Sequence, residues 1–192
     1  MNKKHIITIA GSLGSGKSST AKRVAEMLGY QHFSAGDFFR AIAEKRGVSL
    51  VDLNKLAETD LSVDKEADDR NIEIGKMENV VLDSRLAFHF IPDSFKIFLE
   101  VNPIVAAKRI LEDKKNNLNR SKESQNAFDT VENILDSISE RLVLEKNRYK
   151  ELYNIDDTTS HEHFDIIINT EKIPLEEVSK KVVEEYNNWL KQ

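Results

Sequence analysis

Short apolar runs recur along the chain at residues 6–10, 30–33, 80–82, 95–99 and 164–168, and between them the apolar positions change to a helical spacing. Strands buried on both faces read as such continuous runs, and their alternation with helices predicts a parallel α/β sheet covered on both sides. The clearest helix opens at Gly16 and stops before Gly29. Its Ala21, Val24, Ala25 and Leu28 stand at i, i+3, i+4 and i+7, and a glycine suits the position after a helix end. Helical patterns also cover 37–46, 50–58, 64–76, 103–113, 130–153 and 175–190.

Two stretches break the alternation. Between the second and third apolar runs lie roughly 45 residues of helical pattern where one crossover helix would suffice, which predicts a small helical cap inserted on the sheet. The stretch 114–126 is polar and without period, and reads as a lid.

Composition narrows the chemistry. A chain of 192 residues with 40% apolar content suits one well-buried domain. With no cysteine, disulfides, thiolate nucleophiles, zinc–thiolate sites and iron–sulfur clusters are excluded, and any metal must take oxygen or nitrogen ligands. That suits a reducing cytosol, and a cytoplasmic protein is expected. The run at 6–10 is too short for a signal segment or a membrane span, so no membrane association is expected. Against 33 Asp+Glu stand 28 Lys+Arg, a net charge of -5, which argues against binding a nucleic-acid backbone. Arginines that bind phosphate must then be few and placed. A monomer working on small molecules is the expectation.

Gly11-Ser12-Leu13-Gly14-Ser15-Gly16-Lys17-Ser18 fits the G-x-x-x-x-G-K-[ST] pattern, after an apolar strand and before a helix, where the mechanism needs it. Glycines at 11, 14 and 16 let the backbone fold around phosphate oxygens, so that N–H groups of the loop and of Ser15, Ser18 and Ser19 converge on them at a helix N-terminus. Lys17 would reach the β- and γ-phosphates of ATP, and the Ser18 hydroxyl would bind Mg²⁺. A GTPase base-reading motif is missing, since Asn54-Lys55-Leu56-Ala57 lacks the required Asp. Small-molecule kinases remain.

Two further segments follow strands: Ser34-Ala35-Gly36-Asp37-Phe38-Phe39-Arg40 and Val80-Val81-Leu82-Asp83-Ser84-Arg85-Leu86. With Ile9-Ala10-Gly11-Ser12 ahead of them, they make the chain resemble the short, archaeal-type cytidylate kinases among the nucleoside monophosphate kinases. The resemblance runs from the first strand to Ile168-Asn169-Thr170. It implies a P-loop fold of five parallel strands flanked by helices, with a nucleoside-monophosphate-binding insertion at about 34–77 and a lid at about 110–126. It also implies transfer of the γ-phosphate of ATP to CMP or dCMP with Mg²⁺. Another small acceptor (AMP, UMP or a metabolite) and nucleotide binding without turnover are the competing readings.

Carried over residue by residue, the resemblance assigns Ser34 and Gly36 to the acceptor site, and Arg40 and Arg85 to the monophosphate. A guanidinium offers phosphate a planar fork of donors and stays charged at every working pH. Asp83, ending a strand, would hold Mg²⁺ through water. Ser84 stands where a glycine is common, so the backbone there is expected either to avoid positive φ or to tolerate strain. In the long helix after the lid, Arg141, Glu145 and Arg148 share one face at i, i+4 and i+7, and Glu145 falls inside the apolar stripe of Leu135, Ile138, Leu142, Tyr149 and Leu152. The resemblance gives the two arginines to the phosphates, Arg141 with a catalytic part, and Glu145 to the ribose hydroxyls. Asp64 and Asp68 in the cap are typed to accept the exocyclic amine of cytosine. Larger bacterial relatives carry an Asp after the motif arginine, where this chain has Leu86. Lys114, Lys115 and Arg120 are lid candidates for covering ATP, with Arg109 at the lid's base as a catalytic candidate. His161-Glu162-His163 reads as an exposed loop, and Trp189 as core packing.

Overall fold

In a computed structural model that describes residues 3–57, 59–116 and 130–192, the five apolar runs form one sheet. Its strands are β1 (Ile6–Gly11), β2 (Gln31–Ser34), β3 (Val80–Asp83), β4 (Phe95–Glu100) and β5 (Ile166–Asn169), in the order β2-β3-β1-β4-β5. Every neighbouring pair is parallel. The described helices are α1 (Lys17–Leu28), α2 (Ala35–Arg46), α3 (Leu50–Leu56), α4 (Ser62–Ile74), α5 (Ala87–Phe90), α6 (Pro103–Asn116), α7 (Val131–Tyr153) and α8 (Leu175–Leu190).

The central strand is buried along its whole length. Ile7 and Ile9 point one way, into a core shared with Val81, Ile97 and Leu99 and closed by α1 and α8. Ile6, Val80 and Leu82 point the other way, against Ile74, Ala87 and Ile91. Emptying one of these sites, as in Ile9→Ala, should cost about 2–5 kcal/mol, since the surroundings of a central strand collapse poorly. Trp189 packs on the first core, its ring 5.5 Å from that of Phe95. Thr8, a polar residue in this interior, is satisfied by the Ser94 hydroxyl at 2.9 Å.

Element ends differ from the sequence pattern where tertiary pairing decides them. Strand β2 runs one residue later than its apolar run, because it lies at the sheet edge and its register with β3 sets its length. Helix α1 stops at Gly29, whose N–H donates to the carbonyls of Ala25 and Glu26. Helix α2 starts at Ala35, directly after an extended Ser34. Helix α5 and the 3-10 turn His161–His163 are too short to show a period. Lys114 and Lys115 continue α6 as helix where a loop was expected. Arg120 and the remainder of the expected lid lie outside the described residues.

Helices α2, α3 and α4, between β2 and β3, pack around a small core of their own formed by Ile42, Ala43, Leu53, Ala57 and Val63. Arg46 binds it together, reaching Asp60 at 2.9 Å and Glu66 at 2.7 Å. The sheet register pairs Asp83 with Ile9 on one side and Ser34 on the other, while β1 runs on to Gly11 opposite Leu99. The ends of β1, β2 and β3 therefore open on one edge. In open parallel sheets ligands bind outside the C-terminal ends of the strands, where the chain's order reverses.

Candidate active site

The loop from Gly11 to Gly16 is shaped by what presses on it. A Cβ at Gly11 would lie 2.2 Å from the Leu99 carbonyl oxygen, so no side chain fits beside β4. Gly14 sits at φ +72 with a would-be Cβ 2.8 Å from the Ala106 backbone, so α6 rides directly on the loop. Lys17 Nζ donates to the Ser12 carbonyl at 2.9 Å across the arch. The buried Ser15 hydroxyl has no partner, and Ser15's carbonyl accepts from the Thr170 hydroxyl at 3.0 Å. Ser18, at the first turn of α1, donates to Asp83 Oδ1 at 3.3 Å, while Ser19 next to it is exposed.

Burial, then the nearby Arg85, push the Lys17 amine down from 10.5 to about 7, with Arg141 adding to them and Asp83 and Glu145 opposing. A cation so destabilised by its surroundings is set to receive negative charge.

The residues expected on the acceptor side come from five elements: β2, α2, α4, α7 and the end of β3. Ser34 Oγ and the Arg40 guanidinium both lie 3.5 Å from where a Gly36 Cβ would stand, so all three expected residues meet there. Arg40 is held by Asp37 at 2.5 Å. Asp83 and Ser84 are buried, and Ser84 avoids positive φ. Arg85 forms an ion pair with Glu145, and Arg141 donates to the same carboxylate oxygen from one turn away at 2.8 Å. Burial would push the Glu145 carboxyl up, but Arg85, Arg141 and then Arg148 outweigh it and hold it below its ordinary range. Arg148 in turn stands 3.6 Å from Asp64.

Asp64 and Asp68 are not a solvated helix face. Asp64 is buried and its Oδ2 has no partner, while Asp68 accepts from the Tyr153 hydroxyl at 2.7 Å. Asn71, two turns beyond Asp64 on the same face of α4, is also buried with an unpartnered Oδ1. Sequence reading missed Asn71 and Tyr153. The signal for Asn71 was available, since a polar residue at i+7 from a buried carboxylate shares its face. Tyr153 carried none, because its partner lies in the cap.

Arg109 stands apart from the other arginines. It donates to the carbonyls of Thr170 at 2.7 Å and Glu171 at 3.2 Å, and approaches the Gly14 carbonyl at 3.5 Å, which ties the phosphate loop to the segment after β5. The expected stripe of α7 is buried only in part. Leu142 is 45% exposed and hangs with Ile138 over a cavity of about 280 Å³ lined also by Leu13, Phe98, Val101 and Ala106. His161–His163 makes a 3-10 turn whose His163 ring stacks on Phe88 at 4.5 Å.

A family model described as an AAA domain matches residues 10–129. The cytidylate kinase of Staphylothermus marinus is 35% identical over 190 residues, covering 97% of this chain and 99% of its own. That of Natronomonas pharaonis is 37% identical, covering 88% of this chain and 82% of its own. The chain belongs to the cytidylate kinase family. A solved shikimate kinase from Bacteroides thetaiotaomicron superposes with a TM-score of 0.60 at 16% identity over 97% of this chain and 98% of its own, a likeness of fold alone.

Arg85 and Arg141 lie close enough to the phosphate loop for both to lower the pKa of Lys17. Among the described residues no group of three or more His, Asp or Glu side chains could hold a metal. Ser18 Oγ and Asp83 Oδ1 supply hard oxygen donors instead, a set that fits Mg²⁺ if nucleotide phosphates complete its coordination. Among the described residues no helix is long and apolar enough to cross a membrane.

Proposed function

We propose that the protein transfers the γ-phosphate of ATP to CMP or dCMP, giving ADP and CDP or dCDP. The observation that carries this reading is the meeting of Arg85, from the end of β3, and Arg141, from α7, on the buried Glu145, close enough to Lys17 for both arginines to depress its pKa. Such a cluster of cations suits a transfer between two anions, whose loose transition state spreads negative charge over the moving group. Lys17 and the N–H groups of the phosphate loop would hold the donor, while Arg40 and Arg85 would grip the acceptor phosphate. Arg141 would serve the transferring group. Mg²⁺, between Ser18 and Asp83, would neutralise charge on the donor phosphates.

Base selection falls to α4 in this reading. Asp64 Oδ2 and Asn71 Oδ1 are buried acceptors without donors, and cytosine presents an amine where uracil presents a carbonyl. Glu145, released from its arginines by incoming phosphate, is assigned to the ribose hydroxyls, with Arg148 and Arg141 taking the phosphates. Arg109 is a positioning residue that keeps the loop and the nucleotide-side wall in register. A cytoplasmic monomer acting on small nucleotides completes the proposal.

An enzyme-linked assay of ADP release across CMP, dCMP, UMP and AMP tests it. Turnover with CMP and dCMP well above the others is expected. Turnover centred on another acceptor would reassign the substrate, and nucleotide binding with no turnover on any acceptor would remove the kinase reading.

A further inference from the structure

Asp83 is 5% exposed, and both of its carboxylate oxygens are engaged by protein donors. Oδ1 accepts from Ser18, while Oδ2 lies 3.2 Å from His32 Nε2. The sheet explains the second contact. His32 is opposite Val81 and Ser34 opposite Asp83, so His32 and Asp83 are diagonal neighbours on one face of the β2–β3 pair, the face covered by α1. Diagonal neighbours on one sheet face are within reach of long side chains. A carboxylate only accepts, so this hydrogen bond requires the proton on Nε2.

We infer that His32 is a positioning residue for the metal-binding carboxylate: by occupying Asp83 Oδ2 it fixes the rotation of the carboxylate and leaves Oδ1 aimed at Ser18 and the metal. The inference rests on the kinase reading above for the metal itself. Its physical basis is that a buried carboxylate oxygen without a donor turns until it finds one. The neighbouring cation is Lys17, whose amine already feels Asp83. Without His32, Asp83 Oδ2 would turn in search of another donor, drawing the carboxylate from the metal. The His32 side chain is 23% exposed, and its polar partner is Asp83.

The test compares His32→Leu, which removes the donor, with His32→Gln, whose amide N–H reaches about as far. Mn²⁺ affinity is measured by electron paramagnetic resonance on the complex with a non-hydrolysable ATP analogue, and affinity for the same analogue is measured without metal. Partners that orient metal-binding groups change metal affinity by about 10–100-fold when lost. His32→Leu is therefore expected to weaken Mn²⁺ binding at least about tenfold, with metal-free analogue affinity kept within about threefold, and His32→Gln to restore most of the loss. Unchanged Mn²⁺ affinity in His32→Leu would overturn the inference. So would equal weakness in both variants, or a parallel loss of metal-free affinity, either of which makes His32 part of the framework only. Because the readout is binding, a wild-type protein that binds Mn²⁺ and nucleotide but turns over no monophosphate would remove the kinase reading and leave the role of His32 standing.

Discussion

Lys17 shows at the residue scale how burial sets function. Its ammonium is drawn from water and lies near Arg85 and Arg141, so its pKa falls to about 7. Between about 7 and 10.5 the unfolded chain keeps a proton on this lysine that the folded one has released, so its contribution to stability rises with pH across that window. Nucleotide binding has the opposite sign, because polyphosphate needs the charged amine. ATP affinity is expected to fall as pH rises above about 7, with proton uptake on binding in that range. Calorimetry in buffers of different ionisation enthalpy measures the uptake, and none detected would mean that the amine stays charged. Lys17→Ala should lower turnover by about 3–4 kcal/mol of transition-state stabilisation, as lost charge stabilisers do. The melting temperature of the empty protein should hold or rise, since a buried charge is gone. On α4, Asn71→Ala should reduce the preference for CMP over UMP by roughly tenfold, the worth of one buried hydrogen bond to a neutral partner. An unchanged ratio of kcat/KM values would separate Asn71 from the base.

Helix α7 carries three residues of the proposed site, Arg141, Glu145 and Arg148. Arg141, half-exposed, and Glu145, buried, pair within one turn, and Arg85 joins them from β3. The i, i+4 spacing was legible, and so was the anomaly of a carboxylate in an apolar stripe. Leu142 was misplaced by the same reasoning, because periodicity states which face is apolar and not whether a partner fills the space beneath it. Here a cavity does not. Arg141→Ala should reduce kcat about 100-fold, in the range for one lost donor to developing charge, with little change in melting temperature because Arg141 is half-exposed and Arg85 still pairs with the buried Glu145. Glu145→Gln should instead raise the acceptor KM and leave the ATP KM alone. Equal melting shifts with unchanged kinetics in both variants would make α7 structural.

At the scale of the whole molecule, the cap and the core meet through Asp68 and Tyr153. Burial, with Asp64 and Asp69 nearby, pushes Asp68 up to about 6 against the opposing hydrogen bond from Tyr153. Between 3.8 and about 6 the folded protein holds a proton the unfolded chain has lost, so stability falls as pH rises through that window. Asp68→Asn keeps an acceptor for Tyr153 and removes the charge. Its melting temperature relative to wild type should therefore climb across the same window and then level off, and a flat difference would show that Asp68 titrates normally. The strands, the phosphate loop and the helix that follows were determined by the sequence alone, because strand runs, a glycine pattern and the i, i+4 spacing act over a few neighbouring residues. The resemblance of motifs and their order singled out Ser34, Arg40, Asp83 and Arg85 as candidates. Only the tertiary structure decided that His32 reaches Asp83, that Asn71 is left without a donor, that Arg109 holds the loop and that Tyr153 closes on Asp68. Each of those depends on which residues from distant parts of the chain become neighbours, and on whether the space between them is filled, which no local pattern encodes.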